Sequence, residues 1–540
     1  MLLAAFVCAG CAVPVETMPN GVQSPDVLDQ FQSNPLASPP VETPETGTPG
    51  GVLRLAIPRE VYLENTLETM LREPVLSLDG PSLLVCEPDE SNRVFTLTLN
   101  DICWSDGTQL SAADLMAGLA HTAAQDALWL HAAGLPDAPM ATFAQVDAYT
   151  VILTFAQPYP LFPYILSDPY RHYVDVLLPS HANVDIEALR QGAAPSLSPW
   201  VRTDETTYER NPYYWKTDAA GTQLPYIDSL EITWVGSWQA ALQAEQNGLA
   251  DVYWERSVAC YDALDATLPA THRRMVMNAD ASAIMLTFGQ QGSAWARQHY
   301  DDKRFRGMLG LYIDRKQLSE QAQNGYGMDK RMQSKEYYNN PQIAQVLYDE
   351  LGFGDANDGW LLWPDGTAFA MTLTYSDYAP GVEEAAQAVA DSWRAMGFAV
   401  RLEKVTVGAH VQAGMLDLQL RPLPLPVRGI YTAALLDEAV AGWMDWRTVW
   451  DTPEGQTMDI AEEARKTWPQ ALQMGAVADL SGHQQAAQAT VQGLIDAYCW
   501  FFILEGNDTL AWDASLHNVH AWARSAADAV MDAELFFWAD

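Results

Sequence analysis

The segment AGWMDWRTVWD, residues 441–451, sets Trp443, Trp446 and Trp450 at spacings of three and four, so a helix there carries three indoles on one face. Asp445, Arg447 and Asp451 lie beside them. Indole faces stack on sugar rings, and each indole N–H donates one hydrogen bond. A peptide ligand asks for extended backbone partners and an acidic group for its terminal amine. The stretch therefore has two readings, the wall of a binding cleft or an aromatic stripe in a core. Trp104, Trp200 and Trp254 carry the same two readings earlier in the chain, in a sequence with 19 tryptophans.

Residues with catalytic grammar are scarce. There is no Gly-x-Ser-x-Gly elbow, phosphate loop, Gly-x-Gly-x-x-Gly or His-Glu-x-x-His. His172 and His181 are not at helical metal spacing, and Cys86, Cys103, Cys260 and Cys499 fit no zinc pattern. With 69 acidic residues, pairs of carboxylates arise by chance, so no glycosidase pair is assigned. The expectation is a protein that is not an enzyme and uses no cofactor or metal. Cys86 and Cys103 flank an expected hairpin and either pair or stay free. The net charge of -39 argues against nucleic acid and against adsorption to anionic lipid. It is either a solubility surface or a field that attracts cationic solutes.

The N-terminal run MLLAAFVCAGCAV is apolar and lacks the usual basic start of a secretory signal. Its quartet Cys8-Ala9-Gly10-Cys11 resembles a bacterial lipobox, which implies cleavage and lipidation at Cys11; the alternative is a signal peptide cut elsewhere. Residues 12–50 hold eight prolines and no Lys or Arg, and read as a disordered tether. No other apolar run is long enough to cross a bilayer.

The elements that must position any site come next. Phe95, Leu97 and Leu99 alternate with polar residues as in a half-buried strand, Asp106-Gly107 marks a turn, and Ser111 with Asp114 forms a capping box. SLEITWV is a strand, Ser237 caps a helix running to Asn247, Gly248 ends it, and ADVYW starts the next strand. MTLTYS, a helix with Val382, Ala386, Val389, Trp393 and Met396 on one face, Gly397 and FAVRLEKV repeat that order. Strand-helix-strand units imply parallel pairing. Two of them far apart suggest two α/β lobes. RNPYYWKTDAAGTQLPYIDS, 210–229, has neither period, and reads as an irregular scaffold crossing.

Several islands, in order, resemble the family 5 extracellular solute-binding proteins of bacterial ABC importers, the dipeptide and oligopeptide type. They are FTLTLNDICWSDGTQLSAADL, YERNPYYWKTDAAGTQLPYIDSLEI, LQAEQNGLADVYW, DDKRFRGMLGLYIDRKQL, WPDGTAFAMTLTY and SWRAMGFAVRLEKV. The resemblance implies an α/β bilobal clamp like periplasmic binding proteins. Lobe I would comprise 51–275 and 495–540, with an extra subdomain near 76–165, and lobe II 276–494. Two crossovers would form the hinge. It implies capture of an oligopeptide or related oligomer, or of an oligosaccharide, and delivery to a permease driven by an ATPase. The chain would act as a monomer, lipid-anchored at the outer face of the cytoplasmic membrane or in the periplasm. A surface sensory or adhesion module that has lost transport is the alternative from another class.

Overall fold

Phe95, Leu97 and Leu99 are fully buried in the computed structural model of the protein, where they lie on one face of strand β3 (Val94–Leu99). The structure describes residues 43–58, 67, 70–77, 80–131, 138–167, 173–182, 184, 186–255, 264, 266–268, 271–288, 295, 299–323, 340–355, 359–376, 382–405, 418–424, 498, 500–520 and 529–539. The expected lipidation site Cys11 and the tether to residue 42 lie outside them.

Strand β3 belongs to an antiparallel sheet ordered β2-β3-β5-β4, with β2 at Leu84–Pro88, β4 at Thr142–Gln145 and β5 at Thr150–Thr154. Its apolar face packs on helix α1 (Ala112–Ala124), through Leu115 and Leu119. At the helix start Asp114 accepts from the Ser111 N–H at 2.8 Å and the Ser111 hydroxyl at 3.1 Å. Cys86 and Cys103 are free thiols, and burial, with Glu87 adding, pushes Cys86 up to about 12.

The second sheet has ten strands, ordered β14-β13-β15-β10-β16-β9-β1-β8-β7-β6. Its first half holds β1 (Val52–Pro58), β6 (Trp200–Arg202), β7 (Thr207–Arg210), β8 (Ser229–Val235) and β9 (Val252–Glu255). Helix α2 (Trp238–Gln246) joins β8 to β9, with the Ser237 hydroxyl accepting from the Ala240 N–H and Gly248 leaving at φ 68. The two strands of this unit do not pair with each other. Strand β1 lies between them, parallel to both, because Leu53, Leu55, Ala56 and Ile57 bury both of its faces.

The other half holds β13 (Met371–Ser376), β14 (Val400–Val405) and β15 (Leu418–Pro424), all parallel. Among the described residues four helices belong to this half: α3 (Lys303–Leu311), α4 (Arg315–Gln323), α5 (Pro341–Leu351) and α6 (Val382–Ala395). Trp393 of α6 is fully buried and its N–H donates to the Leu309 carbonyl at 3.0 Å, fastening α6 to α3. The remaining strands among the described residues form two short antiparallel pairs, β11 (Gly354–Asp355) with β12 (Leu361–Leu362), and β17 (Leu516–His517) with β18 (Phe537–Trp538).

Two long antiparallel strands, β10 (His272–Phe288) and β16 (Trp500–Asp513), join the halves. Ala279 faces Gly506 and Ala283 faces Glu505, so residues 280–282 of β10 have no register partner in β16 and form a bulge. Such a bulge bends the strand and raises its twist. Separate apolar cores lie under the four-stranded sheet, around β1 and β8, and around β13 and β15. The architecture is α/β and bilobal, with an added subdomain in the first half.

The crossing at 210–229 is scaffold. Tyr214, Leu224 and Tyr226 form a small core with Phe537, and Arg210 pairs with Asp228 at 2.6 Å. The half-exposed Tyr213 ring covers the turn at Gly107, where a Cβ would come within 2.9 Å of it. No helix among the described residues is long and apolar enough to cross a membrane.

Candidate functional site

In the first half β1, β8 and β9 run parallel and end at Pro58, Val235 and Glu255. Glu255 registers with Thr509, three residues from the Gly506 bulge. In the second half β13, β14 and β15 end at Ser376, Val405 and Pro424, and Pro424 registers with Ser282 inside the same bulge. The carboxyl ends of two parallel strand sets therefore point at one short stretch of β10 and β16 from opposite sides. Ligands of α/β sheets bind beyond the carboxyl ends of parallel strands. Here two such zones face one another across a floor that, among the described residues, is two strands wide. This gap is the candidate site.

Trp254, on β9, lies one residue before a strand end that faces the gap, but at 4% exposure its side chain belongs to the core around β1 and β8. Its neighbour Glu255 is buried and accepts the Tyr253 hydroxyl at 2.9 Å. Asp508, also buried, lies one residue along β16 from the Glu255 partner Thr509. The N-terminus of α2 opens at Ser237, two residues after β8 ends.

Trp104 and Trp200 are elsewhere, each enclosed among buried residues away from the gap. Trp104 is 0% exposed in the core of the four-stranded sheet, its indole N–H directed at Asp114 at 3.4 Å and its ring against Tyr173. Trp200 is 2% exposed on the outermost strand of the large sheet and donates to the Ile227 carbonyl at 3.0 Å. In both, the protein itself takes up the N–H and encloses both ring faces. Trp443, Asp445, Trp446, Arg447 and Trp450 lie outside the described residues.

The sequence argument missed Glu255 and Asp508. The first was within reach, as the residue that closes the strand ADVYW at a carboxyl end. The second had no local signal, since it lies inside a 14-residue strand without a clean alternation. Among the described residues no group of three or more His, Cys, Asp or Glu could hold a metal ion.

Comparison with known proteins agrees with this geometry. A probable ABC transporter-binding protein of Deinococcus radiodurans is 26% identical over 203 residues, 33% of each chain. A periplasmic alpha-galactoside-binding protein of Rhizobium meliloti is 23% identical over 326 residues, 51% of this chain and 46% of that one. The chain thus spans a third to a half of the length of these curated relatives. In fold it is similar to the oligopeptide-binding protein AppA of Bacillus subtilis, solved with a nonapeptide, at TM-score 0.66 and 16% identity, covering 92% of this chain and 100% of that one. Residues 80–423 match the description "Bacterial extracellular solute-binding proteins, family 5 Middle". A two-lobed fold with facing strand ends and a sequence match over more than half its length together place the chain in that family: it is a family 5 bacterial extracellular solute-binding protein.

Proposed function

We propose that the protein is the solute receptor of an ABC importer, that it closes its lobes on an oligopeptide or related small oligomer, and that it hands this solute to a membrane permease powered by an ATPase. The observation that carries the reading is the pair of strand-end zones facing each other over β10 and β16. A ligand held by both zones favours the closed state by its differential affinity for it. Lobe I is 51–275 with 495–540, and lobe II is 276–494. Trp443, Asp445, Trp446, Arg447 and Trp450 are the proposed ligand contacts of lobe II, and Trp254 that of lobe I. The receptor does no chemistry on its solute. It acts as a monomer outside the cytoplasmic membrane, tethered through lipid on Cys11.

A second reading, an oligosaccharide as the solute, is favoured by the alpha-galactoside-binding relative, which matches 51% of this chain. Thermal-shift panels of peptides and glycans separate the two, because a true ligand raises the unfolding midpoint with its concentration. X-ray scattering with the hit should show a smaller radius of gyration than in buffer. A midpoint and radius that stay constant across both panels would sink the receptor reading.

A further inference from the structure

Lys216, in the 210–229 crossing, is enclosed with two carboxylates. Its ammonium nitrogen is 3.0 Å from Glu73 Oε2 and 2.6 Å from Glu534 Oε1, and the side chains of Glu73 and Glu534 are buried. Tyr214, itself buried, donates its hydroxyl to Glu73 Oε1. Asp532 stands two residues before Glu534 and 3.5 Å from His520 Nε2. Main-chain bonds hold the same place: the Tyr226 N–H donates to the Glu534 carbonyl at 3.0 Å, and the Tyr173 N–H to the Glu73 carbonyl at 2.9 Å. Segments far apart in sequence, around residues 73, 216, 520 and 534, meet at this point.

The charges do not balance. Glu73 and Glu534 are two buried carboxylates set against the single fixed cation of Lys216, with the half-exposed Asp532 and its partner His520 beside them. Among the described residues Tyr214 completes the set of titratable groups that face Glu73. Burial disfavours unpaired charge, so such a set gains by holding a proton. Burial pushes Glu73 up to about 7, against the pull of Lys216 and with the push of Glu534. Burial also opposes the Lys216 charge, but Glu534, Glu73 and Asp532 outweigh it and raise its pKa above the usual lysine value. Burial, then Glu534 and Glu73, holds Tyr214 well above the usual phenol range, so it remains a donor.

We propose that this cluster is a proton-operated latch that holds segment 529–538 against the 210–229 crossing, closed while the cluster keeps its extra proton and loosened when that proton leaves. The closed state binds the proton more tightly than the open state. The latch is therefore strongest below the ordinary carboxyl range and is lost as pH rises through about 7. The segment it holds carries β18, and the Trp538 indole N–H donates to the Val52 carbonyl at 3.1 Å, so opening also frees the start of β1.

Hydrogen exchange with mass spectrometry on the full chain tests this at pH 6.0 and 8.5, after correction for intrinsic exchange rates. The expected result is a roughly tenfold loss of protection in peptides from 529–538 at the higher pH, with no loss in α6. Glu73→Gln cannot titrate, and should remove the pH dependence; Glu534→Gln, which removes one anion, should do the same if the first variant does not fold. Equal protection at both pH values in the unmodified protein would overturn the latch. So would an equal loss in α6, which reports global loosening, or a wild-type pH response in a folded variant.

Discussion

A single carboxylate, Asp114, shows how much one side chain can organise. It accepts from the Ser111 N–H and hydroxyl, from the Ser180 N–H at 2.8 Å and hydroxyl at 2.7 Å, and it lies 3.4 Å from the Trp104 indole nitrogen. It thus ties the start of α1 both to the turn before it and to the chain 66 residues further on. Asp114→Asn places amide hydrogens against donors and leaves some of them unpaired in a buried place. The expected cost is about 2–3 kcal/mol, read by urea unfolding. The Ser111–Asp114 half of this arrangement was legible in the sequence, because a capping box is local. The Ser180 half was not, because no spacing rule links residues so far apart. The same limit explains Trp104 and Trp200: an indole that is taken up by a core looks, in sequence, like one that lines a cleft.

At the scale of elements, the legible parts were those with local signals. The strand, capped helix, glycine and strand at 229–255 form where expected, and so do their counterparts at 371–405. Strand β10 did not announce itself, because its 17 residues run through a bulge and HRRMVMNADASAIMLTF shows no sustained alternation. Helix α2 also carries a charge that resists burial. Burial pushes Glu245 up to about 8, with Asp251 and Asp513 adding, and His272 Nε2 stands 3.2 Å away. A raised carboxyl stabilises the fold below its ordinary range, and that contribution is lost as pH rises from about 4.5 toward 8. Glu245→Gln should therefore raise the thermal midpoint by a few degrees at pH 8.5 and leave it nearly unchanged at pH 5. An equal gain at both pH values would show that charge is not the cause.

At the scale of the whole molecule, a single chain carries a net charge of -39. Like charges repel across the surface, and salt screens them beyond about 8–10 Å at physiological strength. Raising sodium chloride from low to physiological concentration should lift the unfolding midpoint, as followed by calorimetry, and a falling midpoint would count against self-repulsion. The candidate site also belongs to this scale. The strands at 229–235, 252–255, 371–376 and 400–405 are readable alone, but the gap exists only because the strand ends of one half reach the bulge and those of the other stop three residues from it. Residues 45–52 have a further significance. Glu45 meets His517 and Asn518, Gly50 donates to Tyr226, and the Val52 carbonyl accepts from Trp538. Tension applied to the chain ahead of residue 45 is therefore absorbed by the flank of the first lobe. If the proposed lobe closure and N-terminal anchor hold, a pull on that end bypasses β10 and β16, so mooring and movement would be mechanically independent.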